Sequence, residues 1–198
     1  VGDKVRVNAD SSNDLYATWV KKTVIEVTAN SSILPYNGEV QKVEGFKNVT
    51  AGYTVEGLIA VAEGKDFGTY KTNITGTARV TKDSVDVTDK VIVNVNKGTL
   101  TISKREVTLT SETTSKPYDG TALTAGGKIE GIVDGEVVVV HTTGSQTEVG
   151  STPNTYKLEW KKASSKNYKL KEDSIGTLTV TEQTIDPGKD PDNPNPNY

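Results

Sequence analysis

The chain has 198 residues, a net charge of −3, and neither cysteine nor methionine. Charges of both signs are interspersed, so the sequence lacks the basic surface that phosphate binding requires, and nucleic acid is excluded as an expected partner. No apolar run is long enough to cross a membrane, so we expect no membrane insertion in this segment. The absence of both sulfur-containing residues favours an extracellular, oxidant-tolerant protein.

Valine and threonine dominate the composition, with 25 Val and 28 Thr against 9 Leu. Both side chains are branched at Cβ, which suits a pleated surface and lowers helix propensity. The apolar content suffices for two modest cores rather than one deep core. The composition therefore predicts an all-β protein.

The first 22 residues contain two strand-like runs, "KVRV" and "LYATWV", on either side of the polar loop "NADSSND". Short runs of this kind around turn-forming residues are typical of a β-hairpin. We interpret residues 1–22 as an N-terminal hairpin or as the end of a preceding repeat.

The following residues contain an internal repeat. "VIEVTANSSILPYNG" matches "EVTLTSETTSKPYDG", with the two turn tyrosines 82 positions apart, and "KDFGTY" matches "TEVGSTPNTY" after a four-residue insertion. Both copies end alike, in "GTLTISK" and "GTLTVTE". Three matching segments in the same order predict two modules, at residues 23–104 and 105–183.

Each module consists of short alternating runs separated by Gly, Asn and Ser, a pattern typical of strands and turns. The segment "TVEGLIAVAEGKD" has some helical character, but its two glycines favour a pair of strands. Roughly six or seven strands per module predict two tandem small β-sandwiches of Ig-like type. The alternative is a β-grasp-like module, which requires a helix across a four-stranded sheet.

Both modules contain a Pro-Tyr-(Asn/Asp)-Gly turn. Proline ends the preceding strand, and Asn or Asp followed by Gly accepts the positive φ of a tight reversal. The tyrosine ring between them is suited to closing one end of the core of its own module. We predict structural turns at Pro35, Tyr36, Asn37 and Gly38 and at Pro117, Tyr118, Asp119 and Gly120.

The last segment, residues 184–198, includes "DPGKDPDNPNPNY", in which four prolines stand among Asp, Asn and Gly. It offers almost no apolar side chain with which to join a core. Such a composition favours extended, solvated conformations, so we predict a semi-rigid linker.

No combination of residues predicts catalysis or a bound metal. The lone histidine, His141, lies on a predicted strand without a serine elbow, so no nucleophilic triad is expected. One His and no Cys disfavour zinc. Asp83, Asp86 and Asp89, like the aspartates of the C-terminal tail, lack the spacing of a calcium loop, which favours solvated surface charge. We expect no catalytic residue, no cofactor and no metal.

The two tryptophans are candidates for stacking on sugar rings. Trp160 alternates with Leu158 and Tyr156, and Trp19 alternates with apolar residues in "LYATWV". Alternate residues of a strand share one face, so both rings are expected to point into a core.

Several segments resemble a known class of repeats. "KREVTLTSETTSKPYDGTALT", "GSQTEVGS" and "NYKLKEDSIGTLTVTE" resemble the tandem YDG-type or MBG-like repeats of Gram-positive cell-surface proteins. The first copy resembles the partner module of such pairs, and "NDLYATWVKK" is similar to the end of an internalin-type repeat. The resemblance covers most of residues 13–183. The first copy departs from the pattern at Asn37, which replaces an aspartate, and at Lys90, where the second copy has Tyr168.

The resemblance implies a multi-domain adhesin or stalk protein on the bacterial surface, with no catalytic residues to transfer. We therefore expect an extracellular, monomeric and non-catalytic structural or adhesive segment, cell-wall anchored through a region outside it, that presents binding domains on an extended stalk. Host glycans, mucin or other surface proteins are the expected partners. The alternative function is that of a carbohydrate- or mucin-binding module. The sequence singles out no lysine–asparagine pair for the isopeptide cross-link of many Gram-positive stalk modules.

Overall fold

The computed structural model of the chain describes residues 6–9, 15–18, 21–48 and 50–183. In these ranges the chain forms twenty strands, and its helical elements are two three-residue 3₁₀ helices, Thr88–Lys90 and Ser165–Asn167. The predicted all-β, sandwich-type class is confirmed. The β-grasp-like alternative requires an α-helix, and the described ranges contain none. The predictions for Trp19 and for the linker at residues 184–198 lie outside the described residues.

The chain divides into two compact units. Unit 1 comprises Val1–Leu34 and Glu39–Ile102, and unit 2 comprises Pro35–Gly38 and Ser103–Tyr198. The short segment Pro35–Gly38 therefore belongs to unit 2, although its neighbours in sequence on both sides belong to unit 1. This assignment is the starting point for the candidate site described below.

The strands of the first part of the chain form one two-stranded and three larger sheets. β1 (Arg6–Ala9) and β2 (Leu15–Thr18) pair antiparallel. The others are β3 (Thr23–Ala29), β4 (Ser32–Pro35), β5 (Gln41–Glu44), β6 (Phe46–Asn48), β7 (Thr54–Gly64), β8 (Gly68–Lys71), β9 (Asn73–Lys82), β10 (Val85–Asp86), β11 (Val91–Asn96) and β12 (Thr99–Ser103). Their sheet orders are β10-β9-β7-β5, β11-β3-β6 and β4-β12-β8.

The second copy forms three sheets. Its strands are β13 (Arg105–Ser111), β14 (Thr114–Pro117), β15 (Gly127–Glu130), β16 (Val138–Thr142), β17 (Gly150–Pro153), β18 (Tyr156–Trp160), β19 (Tyr168–Ser174) and β20 (Thr177–Thr181). The sheet orders are β15-β13-β19, β14-β20-β17 and β16-β18. The two copies thus contain ten and eight strands, more than predicted, partly because Gly45, at a φ of +81°, separates β5 from β6.

The strand pairing of the first copy recurs in the second. β13 pairs parallel with β19 and antiparallel with β15, as β3 pairs with β11 and β6. β20 lies between β14 and β17, as β12 lies between β4 and β8. The antiparallel pair of β16 and β18 corresponds to that of β7 and β9. The internal repeat in the sequence is therefore accompanied by a repeat in topology.

Both copies contain parallel strand pairs that bring together segments far apart in sequence. β3 pairs with β11 over six positions, from Thr23 opposite Val91 to Thr28 opposite Asn96. β13 pairs with β19 with one register shift, and β14 pairs with β20 over four positions. Parallel neighbours cannot be joined by a tight turn. Most of each copy therefore forms the connection between its first strand and the last-but-one strand with which it pairs.

β7 is one continuous strand of eleven residues, so the prediction of a strand pair in this segment is wrong. Gly57 does not end the strand because it lies at a β-bulge, where the register with β9 shifts between Glu56 and Leu58. Its φ is +78°, and an added Cβ would lie 2.3 Å from the carbonyl oxygen of Thr77. The glycine is required by close backbone approach within a strand rather than by a turn.

Each unit buries small β-branched and aliphatic residues. In unit 1, one cluster joins residues of β3, β9 and β11, so the sheet of β3 faces the sheet of β9; its buried members are Ile25, Val27, Val80 and Val91. In unit 2, alternate residues of β13 and β20 are buried: Val107, Leu109, Leu178 and Val180. Alternation with period two is what a strand with one buried face requires.

Candidate functional site: the tyrosine turns and the Glu136 receptor

The two predicted turns share the same backbone arrangement. β4 ends at Pro35, and the Tyr36 amide donates a hydrogen bond of 2.9 Å to the carbonyl oxygen of Ser103, at the end of β12. In the second copy β14 ends at Pro117, and the Tyr118 amide donates one of 2.8 Å to Thr181, at the end of β20. The glycines that close the turns, Gly38 and Gly120, have φ of +82° and +75°. Such values favour glycine at both positions.

The side chains of the two tyrosines differ in burial. Tyr36 is 2% exposed, whereas Tyr118 is 37% exposed. The sequence predicts that each ring closes the core of its own module, and the structure shows neither arrangement. Tyr36 lies in unit 2 rather than among the buried residues of unit 1, and Tyr118 lies at the surface. The backbone conformation of each turn is set by its own residues, whereas the burial of each tyrosine ring depends on residues elsewhere in the chain.

The Tyr36 side chain is held by three residues of unit 2. Its hydroxyl donates a short hydrogen bond to Oε1 of Glu136, which lies 100 positions away in the sequence. Its ring meets the ring of Tyr168 edge to face, with centroids 5.5 Å apart and an interplanar angle of 80°. An added Cβ on Gly38 would lie 2.7 Å from Val133 Cγ1, so the turn backbone also packs closely. Edge-to-face contact is a favourable geometry for aromatic pairs.

Glu136 is shared between two tyrosines. Its Oε2 accepts a hydrogen bond of 2.6 Å from the Tyr168 hydroxyl, which itself accepts one of 3.2 Å from the Val133 amide. The Trp160 ring also packs against the Tyr168 ring, with centroids 5.5 Å apart. We call Glu136, Trp160, Tyr168 and the backbone of Val133 the Glu136 receptor. One carboxylate, two phenols and one amide thus form a continuous network that holds Tyr36.

The electrostatics of this network favour a neutral phenol at Tyr168. Burial foremost, together with the hydrogen bond to the Glu136 carboxylate, raises the pKa of Tyr168 to about 12, whereas the Val133 amide opposes the shift. A protonated phenol is the form that donates to a carboxylate, so the network is stable throughout the neutral range.

The second turn has a network of its own at the surface. Oδ1 of Asp119 accepts hydrogen bonds from the Lys116 ammonium at 2.6 Å, from the Thr121 amide at 2.9 Å and from the Thr121 hydroxyl at 2.8 Å. These donors, the Lys116 ammonium foremost, lower the pKa of Asp119 to about 2. The network rigidifies the turn while the neighbouring Tyr118 ring remains accessible.

Sequence reasoning missed the Glu136 receptor, although one signal pointed to it. Neither Glu136 nor Val133 belongs to a motif, and a half-buried glutamate between strands resembles ordinary surface charge. The difference between Lys90 in the first copy and Tyr168 in the second is visible in the aligned repeats. That difference matters because Tyr168 is the residue that contacts both Glu136 and Tyr36.

The other candidates lie apart from this site or contribute to it only by packing. His141 lies on β16 with an exposed side chain, 2.8 Å from Glu159. Trp160 is half-buried and packs on Tyr168. Asp86 accepts hydrogen bonds from Arg79 and Thr88 rather than joining other carboxylates. Within the described ranges, no group of three or more His, Cys, Asp or Glu residues could hold a metal ion.

The comparisons with known proteins identify no relative. No protein-family model, no curated protein and no solved structure matches the chain. Among the residues that the structure describes, no helix has the length and apolar character needed to cross a membrane.

Proposed function

We propose that this chain is a non-catalytic, load-bearing repeat segment of an extracellular bacterial surface protein, where it serves in a stalk that presents binding domains. The resemblance of both copies to Gram-positive surface repeats supports the location and the class. The observation that carries the proposal is parallel pairing between strands near the two ends of each copy: the first strand pairs with the last but one in both copies, and β14 pairs with the last strand, β20, in the second.

Parallel pairing between strands near the two ends of a copy suits a protein under tension. When two parallel strands are pulled, one from its start and the other from its end, they must slide past each other along their length. All the hydrogen bonds between them then carry the load together. When an antiparallel pair is pulled from adjacent ends, its bonds break one after another. The rate of forced unfolding depends on the barrier to the first rupture, so the sliding geometry gives slower unfolding at a given force.

In the second copy, the last strand, through which tension is transmitted to the C-terminal residues, has this parallel pairing. β20 ends the copy, and it pairs parallel with β14 from Thr114 opposite Leu178 to Pro117 opposite Thr181. β17 pairs with the other edge of β20. The exit strand therefore lies between two neighbours, and tension on Thr181 must shear both pairings before β20 is released.

Single-molecule force measurement on the full chain tests this proposal. The absence of cysteine allows thiol handles at chosen positions. Handles at the two ends of the chain load the parallel pairs in shear. Handles in V137C/K161C lie at the open end of the antiparallel pair of β16 and β18, where Val138 is opposite Trp160. We expect a several-fold higher unfolding force between the chain ends than between the V137C/K161C handles. Equal forces in the two geometries would reject a load-bearing role.

The alternative is a carbohydrate- or mucin-binding module, and exposed aromatic rings are the observation that favours it. Phe67 is 47% exposed and Tyr118 is 37% exposed. A groove of about 430 Å³ lies beside β7, but its lining is aliphatic apart from Glu44, without an aromatic ring on which a sugar could stack. Glycan-array binding that is lost in F67A or Y118A would favour this alternative over the structural role.

A further inference from the structure

The second tyrosine turn repeats the arrangement of the first turn. Within the described residues, the structure shows a binding partner, the Glu136 receptor, only for the first turn. Both turns have the same residue pattern, the same amide hydrogen bond to the end of the closing strand and the same positive φ at glycine. Tyr36 is buried against Glu136 and Tyr168, while Tyr118 is exposed. In the part of the chain that the structure describes, no hydrogen bond to the Tyr118 hydroxyl is formed.

We propose that the Pro117–Gly120 turn is a docking surface, anchored by Tyr118, for a β unit that carries a receptor of the same chemistry as the Glu136 receptor. The occupant of this surface is thus defined by a carboxylate that accepts a hydrogen bond from the phenol and by an aromatic ring that packs edge to face with the tyrosine ring. In this chain the Glu136 receptor is filled by Tyr36, so the partner of Tyr118 is a unit of the same kind with a vacant receptor.

The charges of the turn agree with this partner. Lys116 lies in the turn network beside Tyr118, and its ammonium pairs with the Asp119 carboxylate, so the surface that would meet a carboxylate presents no unpaired negative charge of the turn. In the first copy the position of Lys116 is occupied by Leu34. Asp119 is already engaged by Lys116 and Thr121, which leaves the turn near neutral overall. No like charge therefore opposes the approach of a glutamate to the Tyr118 hydroxyl.

The receptor also explains why unit 1 is not a candidate partner. The position of Tyr168 in the second copy corresponds to Lys90 in the first. A lysine offers neither the aromatic face for the tyrosine ring nor the phenol that shares the carboxylate. The docking is therefore directional, from the tyrosine turn of one unit to a receptor of the unit 2 type.

A graft tests whether the second turn is a competent anchor. The full chain carrying N37D/E39T has the second turn's sequence, Pro-Tyr-Asp-Gly-Thr, at the first position. We expect its melting temperature to stay within a few degrees of the unaltered chain, whereas Y36A lowers the melting temperature clearly. A graft that loses as much stability as Y36A would overturn the proposal, because the second turn's chemistry would then be unable to fill the known receptor.

Disulfide trapping tests the docking between molecules. The donor is the full chain carrying G120C, because Gly38, the equivalent of Gly120, lies beside Val133. The acceptor is the full chain carrying P35G/Y36S/N37G/G38S/V133C, in which the receptor lacks its own anchor. Mild oxidation of the mixture should give a mixed dimer, measured by intact mass. Because the cysteine-free chain has no other thiol, every mixed dimer reports this pair.

Two matched controls decide the outcome. The donor Y118A/G120C keeps the thiol and its backbone strain but lacks the ring, and the acceptor V133C keeps its own Tyr36 turn. We expect several-fold less mixed dimer with either control. Equal yields with and without the Tyr118 ring would overturn the proposal. If the vacated acceptor does not melt cooperatively, the graft result decides alone.

Discussion

At the scale of single residues, the Tyr36 hydroxyl gives the most direct test of the contact with Glu136. It lies in a largely buried network, and its removal leaves a half-buried carboxylate with one donor fewer. We expect Tyr36→Phe to lower the free energy of unfolding by about 1.5–3 kcal/mol, since a hydrogen bond to a charged acceptor contributes at this level. Chemical denaturation followed by circular dichroism measures the change.

Tyr118→Phe is the matched control for that prediction. The Tyr118 hydroxyl lies at the surface, and the backbone of its turn is the same as that of the first turn. We expect no measurable loss of stability for this variant. A loss equal to that of Tyr36→Phe would show that the Glu136 contact contributes nothing specific.

Asp119 gives the second turn a dependence on pH. Its pKa in the folded chain is about 2, below the ordinary value of 3.8, because Lys116 and Thr121 donate to the ionised carboxylate. A lowered pKa contributes stability that is present above the ordinary value and is lost as the pH falls toward 2. We expect the unaltered chain to melt at a higher temperature than Asp119→Asn at neutral pH.

That difference in melting temperature should shrink between about pH 4 and pH 2, as the carboxylate becomes protonated. Thr121→Val serves as the comparison, because it removes one of the three donors to Asp119. A constant difference across this pH range would contradict the assignment of the network.

At the scale of elements, a glycine before the last strand of each copy permits a close approach between two backbone segments. An added Cβ on Gly98 would lie 2.1 Å from the carbonyl oxygen of Asn30, and one on Gly176 would lie 2.2 Å from that of Glu112. Backbone atoms cannot move aside as a flexible side chain can. We expect Gly98→Ala and Gly176→Ala each to lower the free energy of unfolding by about 2–4 kcal/mol.

Gly52→Ala separates this steric effect from backbone strain. Gly52 has a φ of +81°, but an added Cβ there would have no atom within 4 Å. We expect a loss of about 1 kcal/mol from the left-handed conformation alone. Thermal or denaturant melts of the three variants make the comparison, and equal losses would refute the role of close approach.

The two copies also differ in the outer edges of corresponding strands. β11 is the uncharged run "VIVNVN", whereas β19 carries two lysines, a glutamate and an aspartate and has a register shift against β13. Charges and irregular register on an edge strand oppose unwanted pairing with other chains. The Asn94 and Asn96 amides donate to Glu26, so the polar face of the β11 edge is organised by its neighbour β3.

At the scale of the whole molecule, a residue from the first half of the sequence stabilises unit 2. Tyr36 lies between residues of unit 1 in sequence but belongs to unit 2 by its contacts. We expect Tyr36→Ala to increase backbone hydrogen exchange in β16, β18 and β19 more than in β3, β7 and β9, because the lost contacts lie on Glu136, Trp160 and Tyr168. Exchange measured by mass spectrometry on the full chain tests this distribution.

Faster exchange mainly in β3, β7 and β9 would show that Tyr36 stabilises its own copy, as the sequence alone predicts. Leu100→Ala provides a control of opposite sense, since Leu100 is fully buried on β12 of unit 1. Its substitution should increase exchange in unit 1 first.

The sequence by itself determined the β-rich class, the internal repeat and the positions of the tight reversals. Each of these is a local property: β-branched side chains and alternation favour strands, and Pro followed by Tyr-Asn-Gly or Tyr-Asp-Gly permits a reversal with positive φ at glycine. The same local reasoning misjudged β7, where a bulge absorbs Gly57 without ending the strand.

Only the tertiary structure decided which strands pair in parallel and where each tyrosine ring lies. β3 meets β11, and Tyr36 meets Glu136, across 68 and 100 positions of sequence. Such partners are selected by the packing of the whole unit rather than by nearby residues, so two nearly identical turns can bury one ring and expose the other. The physical reason is that a turn sequence specifies a backbone conformation, whereas burial of its side chain requires a complementary surface that distant segments assemble.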